Sequence, residues 1–391
     1  MDRRSFLKNS AIGGSAAAAT ALAAPAYAQG NRTLTLVTTW GRGLAGVHDS
    51  AQYCADMITA MTDGQVTVDL KAAGELVGAF EMFDAVAGGQ ADMYHGVDYY
   101  FLGQHPAFSF FSQIPFGMTF MEYANWIDHD GGNVLADELY SIFGLKAFSA
   151  GNTGPQSGGW FAKEMNGPED FQGLRFRMPG QGGQVMGKLG ASVQNLPGAE
   201  VYQALASGAI DGTEWIGPWA DETAGFQEIT KFYYTAGFHE PGPNLNLVLN
   251  LDVYESLTPA QQTIVQNASR ASNIWTMSLF MARNAAALAR LQAGGVQVLE
   301  FADPIWDAFS TAADDVVAEA LGDPIYAKCH ESYFASMRSS AQNRHRRFAT
   351  QKKACAGAAG LLCIGARISG DRSWDWWTHG AATPLAGSQR S

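Results

Sequence analysis

Glu81-Met82-Phe83-Asp84-Ala85-Val86-Ala87-Gly88-Gly89-Gln90-Ala91-Asp92 and, 119 positions on, Glu200-Val201-Tyr202-Gln203-Ala204-Leu205-Ala206-Ser207-Gly208-Ala209-Ile210-Asp211 decide how this chain folds. Both runs open on Glu, carry an aromatic third and Ala fifth and seventh, reach Gly ninth and close on Asp. Each predicts an amphipathic helix stopped by glycine, which enters the left-handed cap conformation at little cost, and then a short buried strand. One unit used twice predicts two similar α/β lobes facing each other.

Upstream, Arg32–Trp40 alternates Leu34, Leu36 and Thr38 against polar neighbours and stops at Gly41-Arg42-Gly43, the pattern of a strand ending in a loop. A helical pattern over Val47–Met61 stops near Asp63-Gly64, and Val66–Leu70 alternates again. This β-α-β order begins a parallel sheet. Downstream, Gly173–Gly180 reads as a strand with Leu174, Phe176 and Met178 on one face and Arg175 and Arg177 on the other. Gly180-Gln181-Gly182-Gly183 lacks a phosphate-loop Lys-Ser/Thr and reads as a turn before a helix to Leu189 and a strand Ser192–Leu196. Asn244–Asn250 alternates as a hinge strand shared between lobes, and Thr258-Pro259 opens a long Ala-rich helix to about Ala293 by N-cap and N1 chemistry. In α/β sheets ligands sit beyond the carboxyl ends of the strands. The two echoed strands end at Tyr94-His95-Gly96-Val97-Asp98-Tyr99-Tyr100 and Thr213-Glu214-Trp215-Ile216-Gly217-Pro218-Trp219, aromatic and polar mixtures that suit a cleft floor.

The ends differ from the body. Residues 1–28 read as a twin-arginine export signal: Arg3-Arg4-Ser5-Phe6-Leu7-Lys8, a weakly apolar stretch, then Ala26-Tyr27-Ala28 as cleavage site. The net charge of −12 hides an asymmetry. Residues 31–337 hold 13 basic and 34 acidic side chains, whereas 338–391 hold nine and two. An acidic body argues against nucleic acid, which needs a basic footprint. Residues 338–391 form an atypical basic tail with Cys355, Cys363 and the cluster Trp374, Trp376 and Trp377, the character of an out-of-frame ending or unrelated extension. Lobe 1 is expected over 29–150 with return segments at 251–337, and lobe 2 over 151–250. Cys54 and Cys329 are two small buried hydrophobes or a lone pair, not a disulfide framework.

The runs Glu75-Leu76-Val77 with Glu81–Val86, Phe171–Pro179, and Asn195-Leu196-Pro197 through Glu200–Leu205 to Gly208–Gly212 resemble the DctP-type binding proteins of TRAP transporters, in order and over nearly the whole mature body. Gly212-Thr213-Glu214-Trp215 and Gly237-Phe238-His239-Glu240-Pro241 resemble its 2-oxo-acid branch. The resemblance implies a two-lobed periplasmic binding protein fold with a cleft between the lobes. It implies export to the periplasm, capture of a small carboxylate such as pyruvate with a metal ion, delivery to membrane permease subunits, and a homodimer. It assigns the ligand carboxylate to Arg177, with Arg175 as rival, and the ion to Gln156, Glu214, the carbonyl of Trp215 and Glu240. Gln156 also meets the ligand by that resemblance, while Tyr99, Tyr100, Trp215 and Trp219, aromatics at strand ends, read either as walls of the ligand site or as core, with Trp40 in the same class.

Charge supports this independently. Two carboxylates and an anionic ligand against one arginine need a cation, and oxygen-only ligands favour a hard ion such as Na⁺ or Ca²⁺. Enzyme motifs such as G-x-S-x-G, H-E-x-x-H and a Walker loop are missing from the sequence, so the expectation is a binding protein rather than an enzyme. A metal-dependent periplasmic enzyme would have to use His95 or His239 as its acid or base; a ligand sensor shares the same site.

Overall fold

The computed structural model describes residues 31–355, with side chains through residue 340, so the export signal and the Trp-rich end lie outside the described residues. Lobe 1 is built from β1 (Arg32–Thr38), α1 (Val47–Met61), β2 (Val66–Lys71), α2 (Met82–Ala87), β3 (Met93–Gly96), α3 (Phe120–His129), α4 (Gly132–Ser141) and β4 (Leu145–Asn152). Lobe 2 follows with β5 (Gly159–Phe161), β6 (Arg175–Arg177), α5 (Gly180–Lys188), β7 (Ser192–Gln194), α6 (Gly198–Ala206), β8 (Gly212–Thr213), α7 (Pro218–Ala224) and β9 (Phe232–Tyr234). The chain then returns through β10 (Asn244–Asn250), α8 (Leu251–Glu255), α9 (Pro259–Ala293), β11 (Gln297–Leu299), α10 (Asp303–Glu319) and α11 (Pro324–Cys355).

Two mixed sheets result, β2-β1-β3-β10-β4 and β11-β9-β5-β8-β6-β7. The echo recurs bond for bond. In lobe 1 Gly89 takes φ +75°, Gln90 N donates to Ala85 O (2.7 Å) and Ala91 N to the same carbonyl (3.2 Å). In lobe 2 Gly208 takes φ +69°, and Ala209 N and Ile210 N share Ala204 O at 2.9 and 3.2 Å. Each closing Asp then docks on the neighbouring parallel strand: Asp92 N donates to Thr35 O and Asp92 Oδ2 accepts from Thr35 N, as Asp211 does with Arg175. The carboxylate completes the edge where the ladder has not yet begun.

Apolar side chains explain the layers. Phe83, Tyr94, Phe108, Phe110, Phe111, Trp126 and Tyr140 fill lobe 1, covered by Tyr326 and Tyr333 of α11. Phe161, Phe171 and Phe176 fill lobe 2 under Phe309 of α10. A third cluster joins Trp40, Val47 and Tyr99 of lobe 1 to Trp160, Trp215 and Ile216 of lobe 2 and to Phe280 of α9, so the lobes meet face to face. Helix α9 begins at its expected cap, where Gln261 N donates to Thr258 Oγ1 and Thr258 N to Gln261 Oε1, and it packs on β4, α1 and α7. Among the described residues no helix is long and apolar enough to cross a membrane.

Three expectations change. β10 lies wholly in the first sheet, antiparallel to β3 and β4, so it is not shared between the lobes and the chain leaves the second sheet after β9, before Asn244 rather than at 250. The return segment 251–337 is divided, because β11 adds to the second sheet beside β9 and α10 packs on α5. Gly180–Gly183 is the first turn of α5 rather than a free turn. A Cβ at Gly183 would lie 2.3 Å from Met178 O, so the helix start needs glycine to sit this close to the preceding strand. Helix α11 runs unbroken across residue 338, where the basic tail begins, to Cys355. Cys54 and Cys329 are free and buried in separate clusters.

Candidate ligand and ion site

Arg177 ends β6, where the carboxyl ends of the second sheet face lobe 1. The strand is three residues long, so Arg175 stands at the opposite end. It is half exposed and holds Asp211 through Nε (2.9 Å) and Nη2 (2.5 Å), outside the cleft. Arg177 is 2% exposed; Nη1 donates to Glu214 Oε1, Nε donates to Leu196 O (3.2 Å), and the guanidinium lies 5.3 Å from the Trp215 ring centroid. Burial opposes its charge, but Glu214, Tyr100 and Tyr99 outweigh burial and hold its pKa above the usual arginine value.

Around this guanidinium the two echoed strand ends converge. Tyr99, Tyr100, Gln156, Glu214 and Trp215 line one cavity with Arg177, about 30 Å³ in volume, closed on the lobe 1 side by Trp40 and Val97. Trp40 is fixed by His95, whose Nδ1 accepts from the indole N–H (3.1 Å) while Nε2 faces Ser50 Oγ (3.3 Å). Burial lowers the His95 pKa to about 4, so the ring is neutral and its tautomer is set by these partners. Trp219 packs instead on Phe280 and Arg283, away from the cavity.

Glu240 stands behind Gln156, and its carbonyl accepts from Gln156 N (2.9 Å). Burial, then the neighbouring Glu214, push the Glu240 carboxyl well above the usual range, against hydrogen bonds from Tyr99 and Gln156 and the charge of Arg177. Glu214, His239 and Glu240 each place a donor atom within 4.8 Å of the others, and all three are buried. Gln156 Oε1, Glu240 Oε2 and both ring nitrogens of His239 have no hydrogen-bond partner. A buried polar atom without a partner is costly. Gln156 Oε1, Glu240 Oε2 and the one unprotonated nitrogen of a neutral His239 ring are thus acceptors without partners, and they fit a cation, which would be held by Gln156, Glu214, Glu240 and the carbonyl of Trp215.

Sequence reasoning missed two participants. His239 was weighed only as an enzymatic acid or base, although its place beside Glu240 was legible. Asp221 is fully buried, and its Oδ1 accepts from Ile216 N (3.0 Å) and Gly217 N (2.8 Å) while Oδ2 accepts from Trp160 Nε1 (3.0 Å). It pins the loop that presents Trp215; an acid in the first turn of a helix was its only signal.

Comparison with known proteins follows the same lines. A monocarboxylate 2-oxoacid-binding periplasmic protein from Nostoc sp. is 37% identical over 301 residues, 77% of this chain and 82% of the relative. A TRAP periplasmic solute-binding protein from Pseudoalteromonas atlantica, crystallised with sodium and pyruvate, aligns with a TM-score of 0.79 at 35% identity over 83% of this chain and 99% of that one. Its counterpart from Colwellia psychrerythraea, with calcium and pyruvate, gives 0.78 at 34% over 82% and 100%. The family model for bacterial extracellular solute-binding proteins of family 7 matches residues 42–323, and this chain belongs to that family.

Proposed function

We propose that this protein captures a small 2-oxo monocarboxylate, of which pyruvate is the type, together with a metal ion, and delivers it to the membrane permease of a TRAP transporter without chemical turnover. The observation that carries the reading is the buried Arg177 facing a cluster of acceptor atoms that lack partners, Gln156 Oε1 and Glu240 Oε2 among them. The guanidinium offers a planar fork to a carboxylate, and the ion lets two glutamates share the cleft with an anion. The cavity is walled by both lobes, so ligand contacts reward the closed arrangement.

Family members are solute-binding receptors that act outside the cytoplasm. Absence of turnover is our reading for this chain, and the state of His95 supports it: locked between Trp40 and Ser50 and neutral, it is poorly placed to move a proton. Export by the twin-arginine route rests on residues 1–28 alone.

Thermal unfolding scanned against pyruvate and longer 2-oxo acids, with and without Na⁺ or Ca²⁺, tests the proposal. A ligand at 100 times its Kd adds about 2.7 kcal/mol to the native state. A melting temperature unmoved by every acid and ion pair would reject it, as would product formation from a bound acid.

A further inference from the structure

We infer that His95 is a positioning residue for ligand chain length: through Trp40 it fixes the apolar end of the cavity and restricts the protein to the shortest 2-oxo acids. The inference rests on the 2-oxo-acid reading above and adds to it a size limit and the residues that set it.

The cavity has two ends. Arg177, Gln156 and Glu214 make the polar one, and Trp40, Val47 and Val97 of lobe 1 the apolar one. An acid whose carboxylate meets Arg177 in lobe 2 points its carbon chain at the lobe 1 wall. One water-sized group needs roughly 10–15 Å³ of such space. A cavity of about 30 Å³ therefore has no room for a chain of several methylenes unless that wall gives way.

Three hydrogen bonds keep Trp40 in place. Its carbonyl accepts from Ala73 N (3.0 Å), its backbone N–H donates to Thr38 Oγ1 (3.4 Å), and its indole N–H donates to His95 Nδ1 (3.1 Å). The imidazole is held in turn. With Nδ1 as acceptor, Nε2 carries the proton and faces Ser50 Oγ (3.3 Å), which donates to Ala150 O (3.2 Å) and accepts from Thr276 Oγ1 (2.7 Å). One turn earlier on α9, Ser272 Oγ donates to Ser50 O (3.2 Å). His95, Ser50, Ser272 and Thr276 are fully buried, so water does not compete for any of these bonds. One turn beyond Thr276, Phe280 fills the space under Gly46, where a Cβ would lie 2.3 Å from its ring. The long helix thus braces the wall through a satisfied buried network, which specifies one arrangement of the indole.

The test is calorimetric titration of the mature protein with pyruvate, 2-oxobutanoate and 2-oxohexanoate in the presence of Na⁺ or Ca²⁺. Wild type is expected to prefer pyruvate to 2-oxohexanoate by at least about tenfold, and Trp40→Leu to lose that preference by admitting the longer acid. His95→Phe removes the acceptor and keeps a ring, and is expected to shift the ratio the same way by about threefold or more. His95→Asn, whose amide oxygen takes the place of Nδ1, should recover it. In a Trp40→Phe background, which has no indole N–H to hold, His95→Phe should change nothing further. A wild type that binds 2-oxohexanoate as tightly as pyruvate overturns the size limit, and that measurement needs no variant. An equal shift by His95→Phe in both backgrounds, or no shift in either, overturns its action through Trp40 and leaves the wider function standing. Failure of every 2-oxo acid to bind the wild type overturns both.

Discussion

Arg177 Nη1 donates to Glu214 Oε1 at the centre of the cleft, with both side chains all but excluded from solvent. The pair couples the two tasks of the site. The fork that would meet a ligand carboxylate is partly occupied by a glutamate that would meet the ion. An ion that takes Glu214 therefore frees Arg177, and each guest prepares the cleft for the other.

Ligand and ion are expected to bind with positive coupling, typically 1–3 kcal/mol and equal in both directions. Glu214→Gln is expected to weaken ion binding and, by releasing Arg177 from a buried charge, to bind pyruvate in ion-free buffer more tightly than wild type does. Calorimetry on both proteins reads this, and equal pyruvate affinity with and without ion in the wild type would refute the coupling.

The two arginines of β6 should separate cleanly. Arg177→Ala is expected to lose about 2–5 kcal/mol of pyruvate binding, because a charge-assisted contact is removed from a closed cleft. Arg175→Ala, which breaks only a half-exposed pair with Asp211, should keep pyruvate affinity near that of wild type. Binding by Arg177→Ala within threefold of wild type would contradict the assignment.

The echoed aspartates should be interchangeable in energetic terms. Asp92→Ala and Asp211→Ala each strand a backbone N–H at the edge of a parallel pair, Thr35 in one lobe and Arg175 in the other, at a cost of about 1–3 kcal/mol. Urea unfolding curves that coincide with wild type for either variant would show that the shared geometry bears no load.

Asp98 makes stability depend on pH. It is buried among Tyr94, Tyr140 and Asn246, and burial raises its carboxyl to about 6 against those three donors. The folded pKa lies above the unfolded value of about 3.9, so the native state holds the proton more tightly and this group's contribution declines as pH rises from about 4 to about 6. The decline amounts to about 3 kcal/mol. Asp98→Asn removes the titration, so the stability gap between variant and wild type should change across that window and be flat above it. A gap constant from pH 4 to pH 7 would exclude the effect.

The tail is a separate matter. We propose that residues 338–391 are not native to the family, and the family match ends at residue 323. Because every cleft residue named here precedes residue 251, deleting 356–391 should leave pyruvate affinity unchanged within twofold. A large loss, or a gene end that resequences to the same frame, would count against an out-of-frame origin.

What the sequence by itself determined is what short-range physics encodes. The helix over Val47–Met61, the cap at Thr258-Pro259 and the twin helix-glycine-strand units depend on period, capping chemistry and left-handed glycine within a dozen residues, and each appears where it was read. Tyr99, Tyr100, Glu214 and Trp215 follow the two echoed strands and were legible as part of a cleft floor, whereas Arg177, Gln156 and the ion-binding roles came from the resemblance to DctP-type proteins; all six line one cavity. Only the tertiary structure decided the rest. Which arginine of β6 enters the cleft depends on where a three-residue strand ends against its neighbours, and the side-chain period of two does not distinguish them. The places of β10 and β11 follow from pairing with strands far away in sequence. His239 and Asp221 gained their meaning from partners that folding alone delivered: an imidazole without hydrogen bonds beside Glu214, and a carboxylate beneath the loop of Trp215. Such relations depend on burial, and burial is a property of the packed chain that no local stretch contains.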